Sequence, residues 1–502
     1  MMYEDLDDVE AICGKDLDPF NAFLTYGSCH MKYLLKFKED CLNCKASKNV
    51  TPKLQDLSLN VMANSNLESF FGVPLSLCNK LMLLCLEREP LQVTNIIRNW
   101  PVSRISLNDV LSDHVCEYFG LKKRMSYAMC IFKSFIQLIL KKEPFSVKAI
   151  DLRGVLFEGG YDCIHNQHAD LGYGSMILKL LSTVRAVKCD IDREIILDFR
   201  FSAWCDTSCV VGIFKNNPRV NNESRCKLQI HFGHLGFVSD TPPWPGIINL
   251  LTYATPRLES LELINYLEGL IPVKDFTTVM QKTLELPNYQ NLFALSFCYN
   301  YPEISLSSFS ESLGNLPQLR SLNLSFNNIT CLKSVLYKLK NPLLSLRLSG
   351  CELDSKDLIY LMNSVHSKSI LELDISGNSF SDEVDLGTFL SAFHSQLVVL
   401  DATGLHLHHQ AVEVNLSTIL QTFVALRYIS LHHYPFSLQE LISVIKVLCG
   451  STNMKTLNLD YNDVFCFGSE TVSNVESIMK QHNGQFYITK QLTKGIWCVF
   501  SN

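Results

Sequence analysis

The sequence predicts an α/β solenoid in which short strands alternate with helices. Three observations predict it: a recurring apolar phrase, its regular spacing, and an amide residue at a fixed place after the phrase. The phrase reads apolar, two residues, apolar, one residue, apolar, and occurs eight times between Leu258 and Val464. Its central residues lie 24 to 34 positions apart and are Leu261, Leu295, Leu322, Leu346, Leu373, Leu400, Ile429 and Leu457.

The clearest copies, Leu319–Ile329 and Ile370–Phe380, match the signature of a leucine-rich repeat. Neither a lone strand nor a lone helix can bury its apolar face, so neighbouring repeats must stack into one continuous core. Most of the spacings lie near the upper end of the range for this repeat, which leaves room for a full helix in each unit. We therefore expect a horseshoe of ribonuclease-inhibitor-like strand–helix repeats with an N-terminal helical cap.

The residue three positions after the last strand leucine has a backbone role. An asparagine amide there can donate and accept hydrogen bonds along the turn, so buried backbone groups of adjacent turns are satisfied. A cysteine is a compact, weaker substitute, and leucine or tyrosine cannot make these bonds. We therefore predict strong hydrogen bonding at the turns with Asn327, Asn378 and Asn462 and weaker bonding at the turn with Cys351. The turns with Leu405 and Tyr434 are predicted to be imperfect.

The segments between strands are predicted to be helices because capping residues precede their apolar runs. Asp354 precedes the run that begins at Leu358, and Ser437 with Glu440 has the spacing of a capping box. Ser381 opens a further helix. These polar residues are interpreted as structural caps.

The chain is predicted to have three parts. Residues 1–55 form a weakly structured leader, 56–145 an N-terminal helical module, and 146–502 the repeat solenoid. The leader contains Cys41-Leu-Asn-Cys44, but a second close ligand pair is missing, so no metal site is predicted. The solenoid is divided into degenerate early repeats, regular repeats and a C-terminal cap of one helix and two strands, at 146–250, 251–465 and 466–502.

Composition limits the classes of function. The formal net charge of −6 argues against attraction to nucleic acid or to a membrane surface. No apolar run of 18 residues predicts a membrane span, and the acidic start does not resemble a secretory signal. The 19 cysteines are scattered, so we expect free thiols in a reducing compartment, the cytoplasm and possibly also the nucleus.

The neighbours of the inward leucines should face outward and line the concave side, because side chains alternate along a strand. This strip is polar, acidic near its middle, and without a basic stripe for nucleic acid. It is either a surface for a protein partner with basic or hydrogen-bonding groups, or simply a solvated sheet face. The candidate partner residues are Arg347, Glu372, Asp374, Asp401, Tyr428, His432, Asn458 and Asp460.

The N-terminal module resembles that of the PRAME and leucine-rich repeat-containing protein 14-like family. The resemblance runs from about Leu57 to near the C-terminus, and its most specific element is a Trp-Pro turn before an apolar helix. The segments that carry it are Val73–Cys85, Val93–Pro101, Ile105–Leu111, Ile150–Arg153 and Ile196–Phe199.

This resemblance implies a substrate receptor of a cullin-2 RING ubiquitin ligase. In such receptors an N-terminal helix docks on elongin C, within elongin B/C, and the repeats hold the target. The corresponding residues here are Leu75, Cys78, Leu81 and Cys85. The alternative reading of the helix is that it only caps the solenoid.

Two further function classes compete with the ligase receptor. The first is a scaffold or sequestering regulator of signalling or transcription, for instance a negative regulator of NF-kappaB signalling, that acts without ligase assembly. The second is an enzyme, which we do not predict because the sequence has no Gly-rich phosphate loop, nucleophile elbow or H-E-x-x-H motif. No cofactor, catalytic residue or metal ligand is predicted.

Overall fold

A computed structural model gives the fold. It describes residues 73–88, 90–111, 121–159, 173–185, 192–201, 228–239, 251, 258–265, 287–298, 306–380, 386–403, 406–407, 416–431, 436–451, 453–454, 456–459, 469–481, 485–488 and 496–499. These residues fall into two compact units. The N-terminal unit holds the described residues up to 265 together with 287–291, and the repeat unit holds those from Leu292 onward.

The N-terminal unit begins with helices packed around apolar side chains. Trp100 of the Trp-Pro turn is buried at 2% exposure, and its indole N–H donates to the Arg104 carbonyl oxygen at 3.2 Å. The hydroxyl of Ser146 in turn donates to the Trp100 carbonyl oxygen at 2.5 Å. The helices are α1 (Leu75–Arg88), α2 (Val93–Arg98), α3 (Leu107–Leu111), α4 (Leu121–Leu140) and α5 (Tyr173–Arg185), with a 3₁₀ turn at Pro90–Gln92.

Five parallel strands follow one another across the sheet of this unit in chain order. Three of them lie in the segment 146–250 predicted to hold degenerate early repeats, and one short strand lies inside the segment predicted to be a helical module. The register of the sheet shifts between Asp151 and Leu156 and again between Leu197 and Asp198. The strands are β1 (Arg104–Ser106), β2 (Ala149–Gly159), β3 (Arg193–Phe201), β4 (Leu228–Ser239) and β5 (Ser260–Asn265), and a 3₁₀ turn lies at Pro287–Asn291.

The repeat unit shows the predicted alternation of strand and helix. Seven short strands pair side by side in parallel, each in register with its neighbour. They are β6 (Ala294–Cys298), β7 (Ser321–Asn323), β8 (Ser345–Arg347), β9 (Glu372–Asp374), β11 (Val399–Asp401), β13 (Tyr428–Ser430) and β14 (Thr456–Asn458). A separate parallel pair is formed by β10 (Ser379–Phe380) and β12 (His406–Leu407).

Helices connect these strands and shield the apolar side of the sheet. They are α6 (Leu306–Gly314), α7 (Leu332–Leu336), α8 (Ser355–Asn363), α9 (Leu386–Ser391), α10 (Leu416–Leu420), α11 (Leu438–Cys449) and α12 (Ser469–Gln481). The central leucines of the repeats, among them Leu322, Leu346 and Leu373, are fully buried. The structure thus confirms the predicted leucine-rich repeat architecture.

The asparagine ladder forms as predicted at the described turns. The Asn378 amide nitrogen donates to the carbonyl oxygens of Leu348 and Ile375, both at 2.8 Å. Its amide oxygen accepts from the backbone N–H groups of Cys351 and Leu353. Thus one side chain satisfies four backbone groups in two repeats, as buried backbone requires.

At two neighbouring turns, the equivalent side chain also donates a hydrogen bond to a backbone carbonyl oxygen. Asn327 donates to the Phe297 carbonyl oxygen at 2.7 Å, and the Cys351 thiol donates to that of Leu324 at 3.1 Å. Burial raises the pKa of Cys351 to about 12, so the thiol stays protonated and able to donate. Leu405, Tyr434 and Asn462 lie outside the described residues.

The predicted helix caps are largely found. Asp354 and Asp357 form a reciprocal capping box at the start of α8. Asp357 also accepts from the backbone N–H of Leu332 at 2.7 Å, so it caps α7 of the preceding repeat as well. The Ser437 hydroxyl accepts from the Glu440 N–H at the start of α11, and Ser381 lies outside the described residues.

The predicted C-terminal strand pair is confirmed. Strands β15 (Gln485–Ile488) and β16 (Ile496–Val499) are antiparallel, and β16 pairs antiparallel with β14. None of the helices that the structure describes is long and apolar enough to cross a bilayer. The predicted leader, residues 1–55, lies outside the described residues, and the domain boundaries remain a prediction.

Candidate functional site

One face of the repeat sheet gathers charged side chains from three adjacent strands, with acidic side chains on two of them. In the parallel register Arg347 is opposite Asp374, and Asp374 is opposite Asp401. Glu372 lies two residues before Asp374 on the same strand, so both point to the same side, away from the buried Leu373. We call Arg347, Glu372, Asp374 and Asp401 the acidic face.

The acidic face is less exposed than a solvated strip would be. Arg347 and Glu372 are only 9% and 2% exposed, and Tyr428 on β13 is 8% exposed. Neighbouring strands are about 4.8 Å apart, so side chains of adjacent repeats shield one another. Asp374 and Asp401 keep partial contact with solvent. The face therefore presents two partly exposed carboxylates beside two largely buried charged side chains.

Burial dominates the electrostatics of Glu372. It raises the pKa of this carboxyl group to about 7, although the positive charge of Arg347 and the Ser345 hydroxyl favour the ionised form. Ser345 is opposite Glu372 in the register. Both Ser345 Oγ and Glu372 Oε2 are nevertheless buried without a hydrogen-bond partner. The hydroxyl thus lies beside the carboxylate without forming an ordinary hydrogen bond, and an acceptor oxygen is left unused.

Asp374 and Asp401 form a pair of like charges. Burial, together with the negative charge of Asp374, raises the pKa of Asp401 to about 7. Asp401 Oδ1 accepts from the Thr403 N–H at 3.0 Å, and Asp374 Oδ1 accepts from the Ser376 N–H at 3.0 Å. The two carboxylates are therefore held in place by the turns that follow their strands.

A row of hydroxyl groups extends from this pair toward the preceding repeats. Ser376 Oγ lies 2.6 Å from Asp374 Oδ1 and 2.7 Å from Ser349 Oγ. Ser376 has one hydroxyl hydrogen, so when it donates to the carboxylate, Ser349 must donate to Ser376. Ser325 Oγ accepts from the Ser349 N–H at 3.3 Å and continues the row. The hydroxyl groups thus hold Asp374 in a fixed position.

Such an arrangement can accept hydrogen bonds and bind a cationic group. Three carboxylates and one guanidinium lie on this face. A lysine or arginine side chain brought by a partner would relieve the repulsion within the carboxylate pair and favour its ionised form. Among the described residues, no group of three or more His, Cys, Asp or Glu side chains is placed to hold a metal ion.

The remaining candidate partner residues lie beyond this cluster. Asn458 ends strand β14, which pairs in register with β13, and only its backbone is described. His432 and Asp460 lie outside the described residues. The structure therefore brings four of the eight predicted residues together, with Tyr428 on the next strand.

The predicted docking residues of α1 are mostly part of the core. Leu75 is 42% exposed, whereas Cys78, Leu81 and Cys85 are at most 1% exposed. Helix α1 packs against α2 and α3 through this buried side. Burial raises the pKa of the Cys78 thiol. In this fold only Leu75 of the four can contact a partner without a rearrangement of the helix.

Sequence reasoning missed a buried ionic network on the strands of the N-terminal unit. The Arg200 guanidinium donates to both carboxylate oxygens of Glu262, at 2.7 and 3.1 Å. Burial alone would raise the pKa of Glu262, but the charge of Arg200 and the hydrogen bond of His234 lower it to about 2. Burial raises the pKa of Asp198 to about 6. The detectable signal was the charge in the apolar run Ile195–Phe201.

Comparison with known proteins gives the same repeat type. Residues 315–330 match a family model described as Leucine Rich repeat. The chain is 34% identical over 153 residues to leucine-rich repeat-containing protein 14 of Xenopus laevis, covering 29% of each chain. It is 29% identical over 156 residues to the protein of that name from Homo sapiens, covering 30% of this chain and 31% of the relative. The matches thus span about a third of the length of these curated relatives.

The similarity to solved structures is at lower sequence identity. An internalin from Listeria monocytogenes is 15% identical, with a TM-score of 0.32 over 68% of this chain and 91% of the internalin. TLR13 in its complex with ssRNA13 is 16% identical, with a TM-score of 0.32 over 62% of this chain and 42% of TLR13. The assignment of the fold rests instead on the strand order, the asparagine ladder and the family model. The chain is a leucine-rich repeat protein, and over about 30% of its length its resemblance to leucine-rich repeat-containing protein 14, of the PRAME family, is confirmed.

Proposed function

We propose that this chain is a non-enzymatic protein-binding protein that captures a partner with a basic surface on its acidic face. The single observation that carries the proposal is the Asp374–Asp401 pair, in which two partly exposed carboxylates are opposite each other on neighbouring strands. Like charges placed this close are unfavourable in the unbound protein. A cationic partner would remove that cost, which provides a physical reason for binding.

The finer proposal is a substrate receptor of a cullin-2 RING ubiquitin ligase. Its support is the resemblance to leucine-rich repeat-containing protein 14 and the PRAME family, in which an N-terminal helix docks on elongin B/C. In such a receptor, α1 would bind the ligase subunits and the acidic face would bind the target protein. The exposed residue Leu75 would make the first contact, and Cys78, Leu81 and Cys85 could take part only if α1 moved away from α2 and α3.

The burial of these three side chains favours the second candidate function. A helix that is already part of the core serves to close the N-terminal unit, and the repeats can then act without a ligase. In that case the protein is a scaffold or sequestering regulator of signalling or transcription, for example a negative regulator of NF-kappaB signalling. Seven cysteines whose side chains the structure describes are free, which supports action in the reducing cytoplasm, with the nucleus as a further compartment.

Binding of purified elongin B/C and cullin-2 to the purified full chain separates these two functions. The receptor role requires a complex that co-elutes in size-exclusion chromatography and is weakened by Leu75→Glu. The matched control is Leu91→Glu, which places the same charge on a leucine that is 91% exposed near the end of α1. A wild-type chain that elutes free of all three proteins would leave only the sequestering role.

Partner capture tests the acidic face itself. Proteins retained by the wild-type chain are compared quantitatively with those retained by the double variant Asp374→Asn and Asp401→Asn. The matched control removes two carboxylates from helices α6 and α12, through Glu311→Gln and Glu476→Gln, whose side chains are 64% and 44% exposed. We expect a basic partner to be lost only from the first variant. Equal retention by both variants would contradict the proposal.

A further inference from the structure

A second feature at the end of the repeat strands points to what the acidic face binds. Phe326 follows strand β7 and has a left-handed backbone conformation, with φ 61°. At the corresponding turn position the next two repeats have Gly350 and Gly377, with φ 58° and 63°. Glycine adopts this conformation without cost, whereas a bulky side chain is strained there. Phe326 therefore places an aromatic ring at a turn position where two neighbouring repeats have glycine.

The position of the ring is defined by its neighbours. The Phe326 N–H donates to the Ser349 carbonyl oxygen at 2.7 Å. A Cβ atom built on Gly350 would lie 2.8 Å from Phe326 Cδ1, so the ring packs closely over that glycine. The side chain is nevertheless 38% exposed. Aromatic side chains that are fixed in place and partly exposed are typical anchors of protein interfaces.

The ring and the acidic face are on the same run of strands. Phe326 follows β7, Asp374 lies on β9 and Asp401 on β11, two and three strand positions away in the order β7-β8-β9-β11. With about 4.8 Å between strands, the separation measured across the sheet is about 10–15 Å. An extended peptide advances about 3.3–3.6 Å per residue. The distance therefore corresponds to about three or four residues of an extended segment.

Glu372 adds an independent observation that points to a ligand. It is 2% exposed, and its Oε2 atom has no hydrogen-bond partner. A buried carboxylate oxygen without a donor is costly. It lies two residues before Asp374 on the same strand, in the row next to the carboxylate pair. A donor group of a cation bound at that pair would complete its hydrogen bonding.

We propose that Phe326 and the acidic face form one recognition surface for an extended segment of a protein partner that carries an apolar side chain three or four residues from a lysine or arginine. The apolar side chain packs on the Phe326 ring, and the cation binds between Asp374 and Asp401. This proposal rests on the proposed function, since it specifies the partner of the same face.

The test is selection of peptides from a random twelve-residue phage library on the purified full chain. We expect enrichment of peptides with the stated spacing of apolar and basic residues. Synthetic copies should bind the Phe326→Gly variant at least about tenfold more weakly than wild type, as loss of an aromatic anchor predicts. Phe326→Gly should keep a wild-type melting temperature, because glycine fits the turn. Phe326→Asn, which also tolerates this conformation, replaces it if the glycine variant does not fold.

Controls separate this inference from the function on which it rests. Tyr337→Ala removes an aromatic side chain that is 54% exposed at the end of α7, and it should leave peptide binding unchanged. One outcome would contradict the role of Phe326 alone: peptides that fail to bind the Asp374→Asn and Asp401→Asn variant but bind Phe326→Gly as tightly as wild type. Peptides that bind all variants equally, or no enrichment on the wild-type chain, would overturn both proposals.

Discussion

The carboxylate of Asp198 accepts a hydrogen bond from the backbone N–H of Gly154 at 2.7 Å. Its other oxygen accepts from the backbone N–H of His234 at 2.9 Å. The two donors are on the strands that flank β3, close to the points where the register of each pairing shifts. One fully buried side chain thus replaces ladder bonds that are lost on both sides of its strand.

Replacement of Asp198 by Asn should destabilise the protein. An amide has one acceptor oxygen, so it can serve one of the two N–H groups and turns its own donors toward the other. A buried donor left without a partner costs about 1–3 kcal/mol. Urea unfolding of the full chain at pH 7 measures this loss. Asp192→Asn changes an exposed residue just before β3 and should have little effect, and equal stability of both variants would contradict the role of Asp198.

Gly233→Ala tests how closely the network on these strands is packed. A Cβ atom at this position would lie 2.8 Å from Asp198 Oδ1 and 2.8 Å from Arg153 Cγ. We expect a loss of about 1–3 kcal/mol because overpacking displaces both side chains. Gly450→Ala is the matched control, since its nearest atom, the Val447 carbonyl oxygen, is 3.4 Å away. The melting temperature should fall for the first variant and stay close to wild type for the second.

Asn378→Ala should be more damaging than Cys351→Ala at the corresponding turn. The first removes an amide that bonds to four backbone groups and, at 3.2 Å, to the Ser376 carbonyl oxygen. The second removes a thiol with weaker bonds to two carbonyl oxygens. With about 1 kcal/mol for each net hydrogen bond, the difference should be about 1–2 kcal/mol. Chemical denaturation measures it. Equal losses would mean that the turn depends on packing volume and not on hydrogen bonds.

Asp401→Asn should stabilise the protein at pH 8 but not at pH 4. The pKa of Asp401 is raised to about 7 in the folded protein, against about 3.9 in an unfolded chain. The folded state therefore holds a proton that the unfolded state releases, so the contribution of Asp401 to stability falls as the pH rises from about 4 to 7.

Asparagine removes this dependence because it does not titrate. We expect a gain of about 1 kcal/mol at pH 8, since one unit of pKa corresponds to about 1.4 kcal/mol and partial exposure reduces the full effect. Urea unfolding of the two proteins at pH 4, 6 and 8 provides the measurement. Parallel pH profiles for wild type and variant would show that the charge of Asp401 is not costly in the folded state.

The repeat architecture could be predicted because each of its parts is local in the sequence. The strand leucines, the asparagine at the turn and the Asp354 cap all lie within about 35 residues of one another and recur. Asn378 could be assigned its hydrogen bonds because an amide at this place has few other possible partners. The same reasoning placed Cys351 in the equivalent role, and its thiol does donate to the Leu324 carbonyl oxygen.

The features that could not be predicted depend on contacts between distant residues. Whether Arg347 and Glu372 are exposed is decided by the side chains of adjacent repeats, which alternation along one strand does not reveal. The burial of Cys78, Leu81 and Cys85 depends on the packing of α1 against α2 and α3. Asp198 bonds to backbone groups 44 and 36 residues away, and nothing in the sequence marks those two groups as lacking a partner.

The central claim is that the acidic face captures a protein partner, and site-specific photo-cross-linking tests it most directly. A benzophenone amino acid is placed at Asn323, which is partly exposed at the end of β7, or at Lys368, which is exposed between α8 and β9. We expect a cross-linked partner from position 323 that disappears with Asp374→Asn and Asp401→Asn, and none from position 368. A partner that cross-links from position 368 and not from position 323 would contradict it.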